Sequence, residues 1–421
     1  MKQMRNIVCS ILCLGFASST SAQQKADYDL APLHYSTCKD TNTITRLQSA
    51  MDAHKLSLPG STPNEILASL LKELNIPISS QMLIFSKTSL QRRLISPQNP
   101  RAVYYNRDFY VAYVPGGKIE IIACDDPSGP MFYEFDPAEL PARRKFARKP
   151  VCIACHANQN TMNVPGLLAR SVFTDKLGNP LLSKGSFLTT PASPISERWG
   201  GWYVTGTHGK SRHMGNQWEH DPAPGQNITD LSPYFDTGKY LTTTSDILAM
   251  MLMEHQIQVY NTLNAARVNF GRTIFLSQAI NGGKYNSSTP AARKMLQDHV
   301  HAILKVLLFS HEARLPEDGI TGSRKYEQAF TRAGLGSNGH SLRDLRLQKR
   351  LFKYRCSYMI HSKAFAQLPP EIKTPVLTQL HTLLTSTQPF AHLPALSSRE
   401  KSRIHSILSH THAGYREVAG E

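Results

Sequence analysis

The sequence predicts an α+β protein with a β-meander-rich middle and a helical C-terminal region. Two observations carry this. From residue 101 to 135, short β-branched and aromatic runs alternate with turn formers. From residue 245 onward, apolar residues recur at helical spacing, several runs opening on Ser caps. A third observation sets the class: 41% hydrophobic and 19% charged residues, with Gly and Pro dispersed, describe a globular chain and exclude a disordered or collagenous one. At 421 residues the chain has room for two or three domains and a sizeable core. The expected division is 1–22, 23–100, 101–240 and 241–421.

The first segment reads as a signal peptide. Lys2 and Arg5 give a positive start, Ile7 to Ala17 an apolar run too short to span a bilayer, and Thr20-Ser21-Ala22 a small-residue cleavage site. Cleavage after Ala22 and a periplasmic or secreted destination follow. Later apolar stretches such as Leu248 to Met253 fall short of the ~20 residues a span requires, so no integral membrane segment is expected.

In the 23–100 segment, Thr62-Pro63-Asn64-Glu65 forms a capping box with Pro at the first helical position. Ile66, Leu67, Leu70, Leu71 and Leu74 continue it as one apolar face. The period then changes. Ala102 to Asn106, Phe109 to Val114, Ile119 to Cys124 and Met131 to Phe135 read as strands of an antiparallel meander, separated by turns such as Pro115-Gly116-Gly117. Ser171 to Thr174 and Leu181 to Ser183 flank a hairpin turn over 176–180, and Trp202 to Thr205 reads as another strand. Helices are expected at Ser245 to Ala265, Pro290 to Phe309, Leu342 to Ile360, Pro370 to Leu384 and Ser398 to Leu408. Ser341 with Asp344, and Ser397 with Glu400, repeat the capping signature.

The charge is strongly basic, with 47 Lys and Arg against 31 Asp and Glu, a net +16. An exported chain without a nucleic-acid motif points instead to acidic proteins, anionic headgroups or an anionic cofactor. Of seven cysteines, Cys9 and Cys13 lie in the signal segment, leaving Cys38, Cys124, Cys152, Cys155 and Cys356. Cys152-Ile153-Ala154-Cys155-His156 is a CxxCH run, the attachment pattern of c-type haem. Two thiols at this spacing reach two vinyl groups on one haem edge, and the next residue sets an imidazole under the iron. A redox dithiol would need a βαβ setting, and a zinc site a second ligand pair; neither is apparent. Cys38, Cys124 and Cys356 allow at most one disulfide, with three possible pairings.

Cys152, Cys155 and His156 resemble the haem-attachment motif of the c-type cytochromes. The run Arg101 to Asn216, containing Trp199-Gly200-Gly201-Trp202-Tyr203-Val204-Thr205-Gly206, and the run Ser341 to Ser362 are similar to a group of uncharacterised exported single-haem proteins. The resemblance implies one haem c bound through Cys152 and Cys155, His156 as proximal iron ligand, and electron transfer outside the cytoplasm. Candidates for the opposite face of the iron are His213 and Met214, in a loop bounded by glycines, followed by His208. His255 is a lesser candidate, since it lies on an apolar helical stripe where a hydrogen-bonded core histidine is the simpler reading. Trp199, Trp202 and Tyr203 fit either a haem wall or the core. Arg143-Arg144-Lys145 and Arg148-Lys149, just before the motif, suit haem propionates or an acidic redox partner, or form a solvated loop. The expected function is a monohaem electron carrier; the alternatives are a peroxidase-like or oxidase-like haem enzyme and a haem-based sensor.

Overall fold

The strand-rich run closes into one antiparallel sheet whose two faces carry different halves of the chain. The structure, a computed structural model, describes residues 26–218, 227–388, 390 and 392–420. The expected signal peptide and the cysteines within it lie outside the described residues. Helix α1 (Thr43–Asp52) opens on Asn42, whose side chain accepts from the Ile44 and Thr45 amides. Helix α2 (Pro63–Glu73) carries the expected Thr62/Glu65 capping box. Strands β1 (Met82–Ile84), β2 (Arg101–Tyr105), β3 (Phe109–Tyr113), β4 (Ile119–Ala123), β5 (Met131–Phe135) and β6 (Ala147–Arg148) follow. Next come α3 (Ile153–His156), β7 (Arg170–Val172), β8 (Ser186–Leu188) and β9 (Trp202–Tyr203). Seven strands form the sheet in the order β6-β5-β4-β3-β2-β1-β9, and β7 pairs with β8 separately. The four meander strands stand where the sequence puts them.

The C-terminal half contains α4 (Ile247–Ile280), α5 (Pro290–Leu307), α6 (Arg324–Arg332), two small hairpins β10 (Gly336–Ser337) with β11 (His340–Ser341) and β12 (Leu345–Gln348) with β13 (Arg350–Phe352), then α7 (Lys363–Ala366), α8 (Pro370–Thr385), α9 (Ser398–Thr411) and α10 (Ala413–Ala419). The long central helix α4 is buried on nearly every side through its first twenty residues, which explains why it is apolar all round rather than amphipathic. One sheet face packs on it. Met82, Val103, Tyr105 and Tyr110 join Leu248, Leu252 and Val259 in a single core. Tyr105 donates to the Ala249 carbonyl at 2.6 Å, and the Gln256 amide donates to the Asn106 carbonyl and the Tyr110 hydroxyl. The other face carries Leu83, Phe85, Tyr104 and Val111 against Ile66, Leu67 and Leu70 of α2. Truncating a fully buried side chain here, such as Leu252→Ala, is expected to cost ~2–5 kcal/mol.

Three expectations need correction. Leu342 to Ile360 is not a helix: it forms the β12–β13 hairpin and a 3₁₀ turn over Tyr358–His361. Leu347 and Lys349 have positive φ, 59° and 61°, which breaks a helix without any glycine to announce it. Ser341 therefore ends β11 and accepts from the Arg343 amide instead of opening a helix. The hairpin turn after the motif closes where expected, with Thr174 bridged to Pro180 and the Leu181 amide donating to the Phe173 carbonyl, but the paired strands are Arg170–Val172 and Ser186–Leu188, and Leu182–Lys184 of the expected second strand is a 3₁₀ turn. Finally β1, within the segment read as helical, enters the sheet between β2 and β9. The five described cysteines are all free thiols, so the disulfide left open among Cys38, Cys124 and Cys356 is not formed.

Candidate functional site

The CxxCH run leaves the sheet directly from its edge strand. β6 pairs with β5 through Tyr133↔Arg148 and Glu134↔Ala147, and the Lys149 amide donates to the Phe132 carbonyl at 2.8 Å. Pro150 then opens a 3₁₀ turn, Pro150–Cys152, that runs into the single helical turn α3. Ile153 is buried and anchors the turn in the core between the sheet and α2. Cys152 is half-buried and Cys155 exposed, so both sulfurs are accessible on a turn held rigidly by its neighbours.

The backbone after the motif is pinned to it. The Asn158 side-chain Nδ2 donates to the Cys155 carbonyl at 2.8 Å, and the Gly166 backbone amide donates to the His156 carbonyl at 2.8 Å. His156 Nδ1 lies 2.9 Å from the Gly166 carbonyl, so that nitrogen carries the proton and donates. The lone pair is left on Nε2, to which no hydrogen bond is made among the described residues. Burial lowers the imidazole pKa below its ordinary value while the Gly166 bond pulls it back up. The neutral, Nε2-ready tautomer is the form in which a histidine coordinates a metal. A side chain at Gly166 would not fit, because a Cβ there would meet Thr161 Cβ at 2.8 Å and Asn261 Oδ1 at 2.9 Å. The tight return at Gly166 is therefore a condition of the His156 geometry.

Beside the turn, the sheet face that also carries Val103 and Tyr110 holds a charged row. The register puts Ala112 opposite Glu120 and Glu120 opposite Glu134, with Arg101 crossing from β2 to bond Glu120 at 2.9 Å. Lys149 bonds Glu134 at 2.7 Å. The His156 ring rests on Phe132, whose centroid is 4.7 Å away. Burial pushes the Cys152 thiol up to about 11, and the Glu120 and Glu134 carboxylates add to the rise. That is the wrong direction for a thiol–disulfide enzyme, which needs a stabilised thiolate. Sequence reasoning missed this row. Its signal is a charge at the strand interior: Glu120 and Glu134 interrupt apolar runs, and with Arg101 share one face of the meander.

The basic cluster divides. Arg148 bonds Asp40 at 2.8 Å and donates to the Tyr35 and Cys38 carbonyls, and Lys149 is taken by Glu134, while Arg143 and Lys145 are exposed.

The other candidates gather elsewhere. His213 is buried against Trp199 and His208, with ring centroids 5.3 and 4.6 Å apart. Its Nδ1 accepts from the Gly215 amide, so its proton sits on Nε2. His208 has the opposite tautomer, since its Nδ1 donates to the Ser211 carbonyl and its buried Nε2 keeps a lone pair. Met214 sulfur accepts from Ser171 at 3.7 Å. His255 is a core histidine: Nε2 is bonded to Ser357 at 2.7 Å and the ring stacks on Phe309. Among the described residues no hydrogen bond or ring contact joins any of these four to His156. Trp199 and Tyr203 are fully buried. Trp199 donates to Glu254, which also holds Arg198 at 2.7 Å, and burial raises that carboxyl to about 7 against the pull of Arg198. Trp202 lies opposite Ile84 on the same face as Arg101 and donates to the Arg170 carbonyl.

The CxxCH residues fit a covalently held haem: two accessible thiols, and an imidazole fixed at Nδ1 and open at Nε2. No helix among the described residues is long and apolar enough to cross a membrane. Comparison with protein-family models, with curated proteins and with solved structures finds no match.

Proposed function

We propose that this chain is an exported monohaem c-type protein that passes single electrons between redox partners. Cys152 and Cys155 are the thioether anchors, His156 the proximal ligand, and haem c the one cofactor. The observation that carries the reading is the His156 tautomer, set by the Gly166 carbonyl, on a turn whose two thiols remain accessible. When bound, the haem supplies the one-electron couple. The chain orients the imidazole, strengthens its basicity through the Nδ1 bond, and places the Arg101, Glu120, Glu134 and Lys149 charges beside the motif, where they tune the potential.

On the far side of the iron, His213, Met214 and His208 remain the candidates, and the tautomers favour His208 over His213. The competing reading, a haem enzyme or sensor, is favoured by one observation: His213, Met214 and His255 are engaged with Trp199, Ser171 and Ser357, and none of the distal candidates contacts His156 among the described residues. The absorption spectrum of matured protein with carbon monoxide and with peroxide separates the two. A low-spin spectrum unchanged by either supports the carrier; a high-spin iron that takes up carbon monoxide contradicts it.

A further inference from the structure

The loop after α5 and the β12–β13 hairpin line a half-open cavity of about 210 Å³, none of whose lining residues belongs to the CxxCH site. Its floor is aromatic. Phe309 and Phe352 are buried with centroids 4.9 Å apart, and His255 stacks behind Phe309. Its walls are cationic, supplied by Arg314, Lys349, Arg350 and Arg355. Arg355 is consumed by a two-pronged pairing with Glu400. Arg350 is only partly used: it reaches Glu400 and the Lys353 carbonyl, but its buried Nε has no partner. Arg314 and Lys349 are tied only to Glu317, an exposed rim pairing worth little in water, so both side chains can turn inward.

The one acid in the lining, Glu312, makes no ion pair or side-chain hydrogen bond among the described residues. Burial raises its carboxyl to about 7, against the pull of Arg198 and Arg350. Near neutrality it is therefore about half protonated, and below about pH 7 it becomes mainly a neutral donor rather than a competing anion. The backbone around the cavity is unusual as well. Phe309, His311, Leu347 and Lys349 all have positive φ, 57°, 66°, 59° and 61°, and none is a glycine. Left-handed backbone at bulky residues clusters where a surrounding structure holds a site in shape.

We infer that this cavity is a binding site for a small organic carboxylate with an apolar body no larger than one ring, the carboxylate on Arg350 and Lys349 and the body on Phe309 and Phe352. Size sets the upper limit, since a cavity of roughly 150 Å³ accepts a benzene ring. Charge sets the head group, because an arginine with a free buried Nε matches a planar carboxylate.

The test is calorimetric titration of the full-length matured protein with benzoate, benzyl alcohol and inorganic phosphate. The expected result is saturable one-site binding of benzoate, at least about tenfold tighter than either of the others. Arg350→Gln should weaken it by at least about tenfold, and Lys349→Ala, an exposed residue whose loss leaves the fold intact, by about threefold or more. Affinity should rise from about pH 8 to about pH 6 as Glu312 gains its proton, and Glu312→Gln should flatten that dependence. Absence of saturable benzoate binding, equal affinity for phosphate or benzyl alcohol, or binding untouched by Arg350→Gln and Lys349→Ala would each overturn the assignment.

Discussion

His156 and His255 are the same residue in two settings, one on the turn at the sheet edge and one in the helical core, and burial lowers the pKa of both. What differs is which nitrogen is tied. His156 is held at Nδ1 by a carbonyl, while His255 is bonded at Nε2 to Ser357 and stacked on Phe309. Burial and a lowered pKa therefore do not separate a candidate ligand histidine from a core one; the nitrogen left free is what distinguishes them. The comparison extends to His208 and His213, neighbours with opposite tautomers, of which only His208 keeps an unshared lone pair.

The sharpest way to break this contrast is to exchange roles. His156→Ala should abolish the low-spin haem spectrum of matured protein, whereas His255→Phe should leave it in place and change only stability, both read by absorption after purification. If His255→Phe removed the spectrum and His156→Ala did not, the assignment would be reversed.

A second test separates packing from ligation. Glu254→Gln leaves Arg198 buried without its counter-ion, and denaturant unfolding should show a loss of about 3–5 kcal/mol. The haem spectrum should be retained, because Glu254 has no bond to the motif.

How much of this was legible in the sequence follows the same division between local and long-range causes. The meander strands and the Thr62 capping box were readable because alternation and caps are local signals. The CxxCH residues were readable as a candidate site because their spacing is a local signal. The hairpin at 345–352 was not, since Ser341 and Asp344 imitate a cap while the positive φ of Leu347 and Lys349 is imposed by the backbone of residues 315–320, bonded to it. β1 was missed because three consecutive buried residues have no alternation to show. The Gly166 bond to His156, between residues ten apart, depends on tertiary closure and has no sequence signature.

Acidification provides a third prediction. Burial lowers His213 and His255 to about 3 and His361 to about 4. These folded values lie below the unfolded value near ~6.5, so the unfolded chain takes up protons first as the pH falls. Their stabilisation is complete above about pH 6.5 and is lost as the pH drops toward about 4, at up to about 1.4 kcal/mol per pH unit for each histidine. Thermal melts from pH 7 to pH 4 should show a steep fall, and His361→Gln should make it shallower. A melting temperature flat across that range would contradict the buried neutral assignment.

The smallest expected effect is at the N-terminal helix. Thr62→Ala removes the side-chain half of the α2 capping box and should cost about 1 kcal/mol by denaturant unfolding, with no change in the haem spectrum.

The most direct measurement is the intact mass and pyridine haemochrome spectrum of the chain expressed with haem-maturation machinery. The account predicts the mass of the polypeptide plus one haem, a two-thioether spectrum, and a shifted single-thioether spectrum for Cys155→Ala. A purified, folded chain at the bare polypeptide mass, colourless after correct maturation, would contradict it.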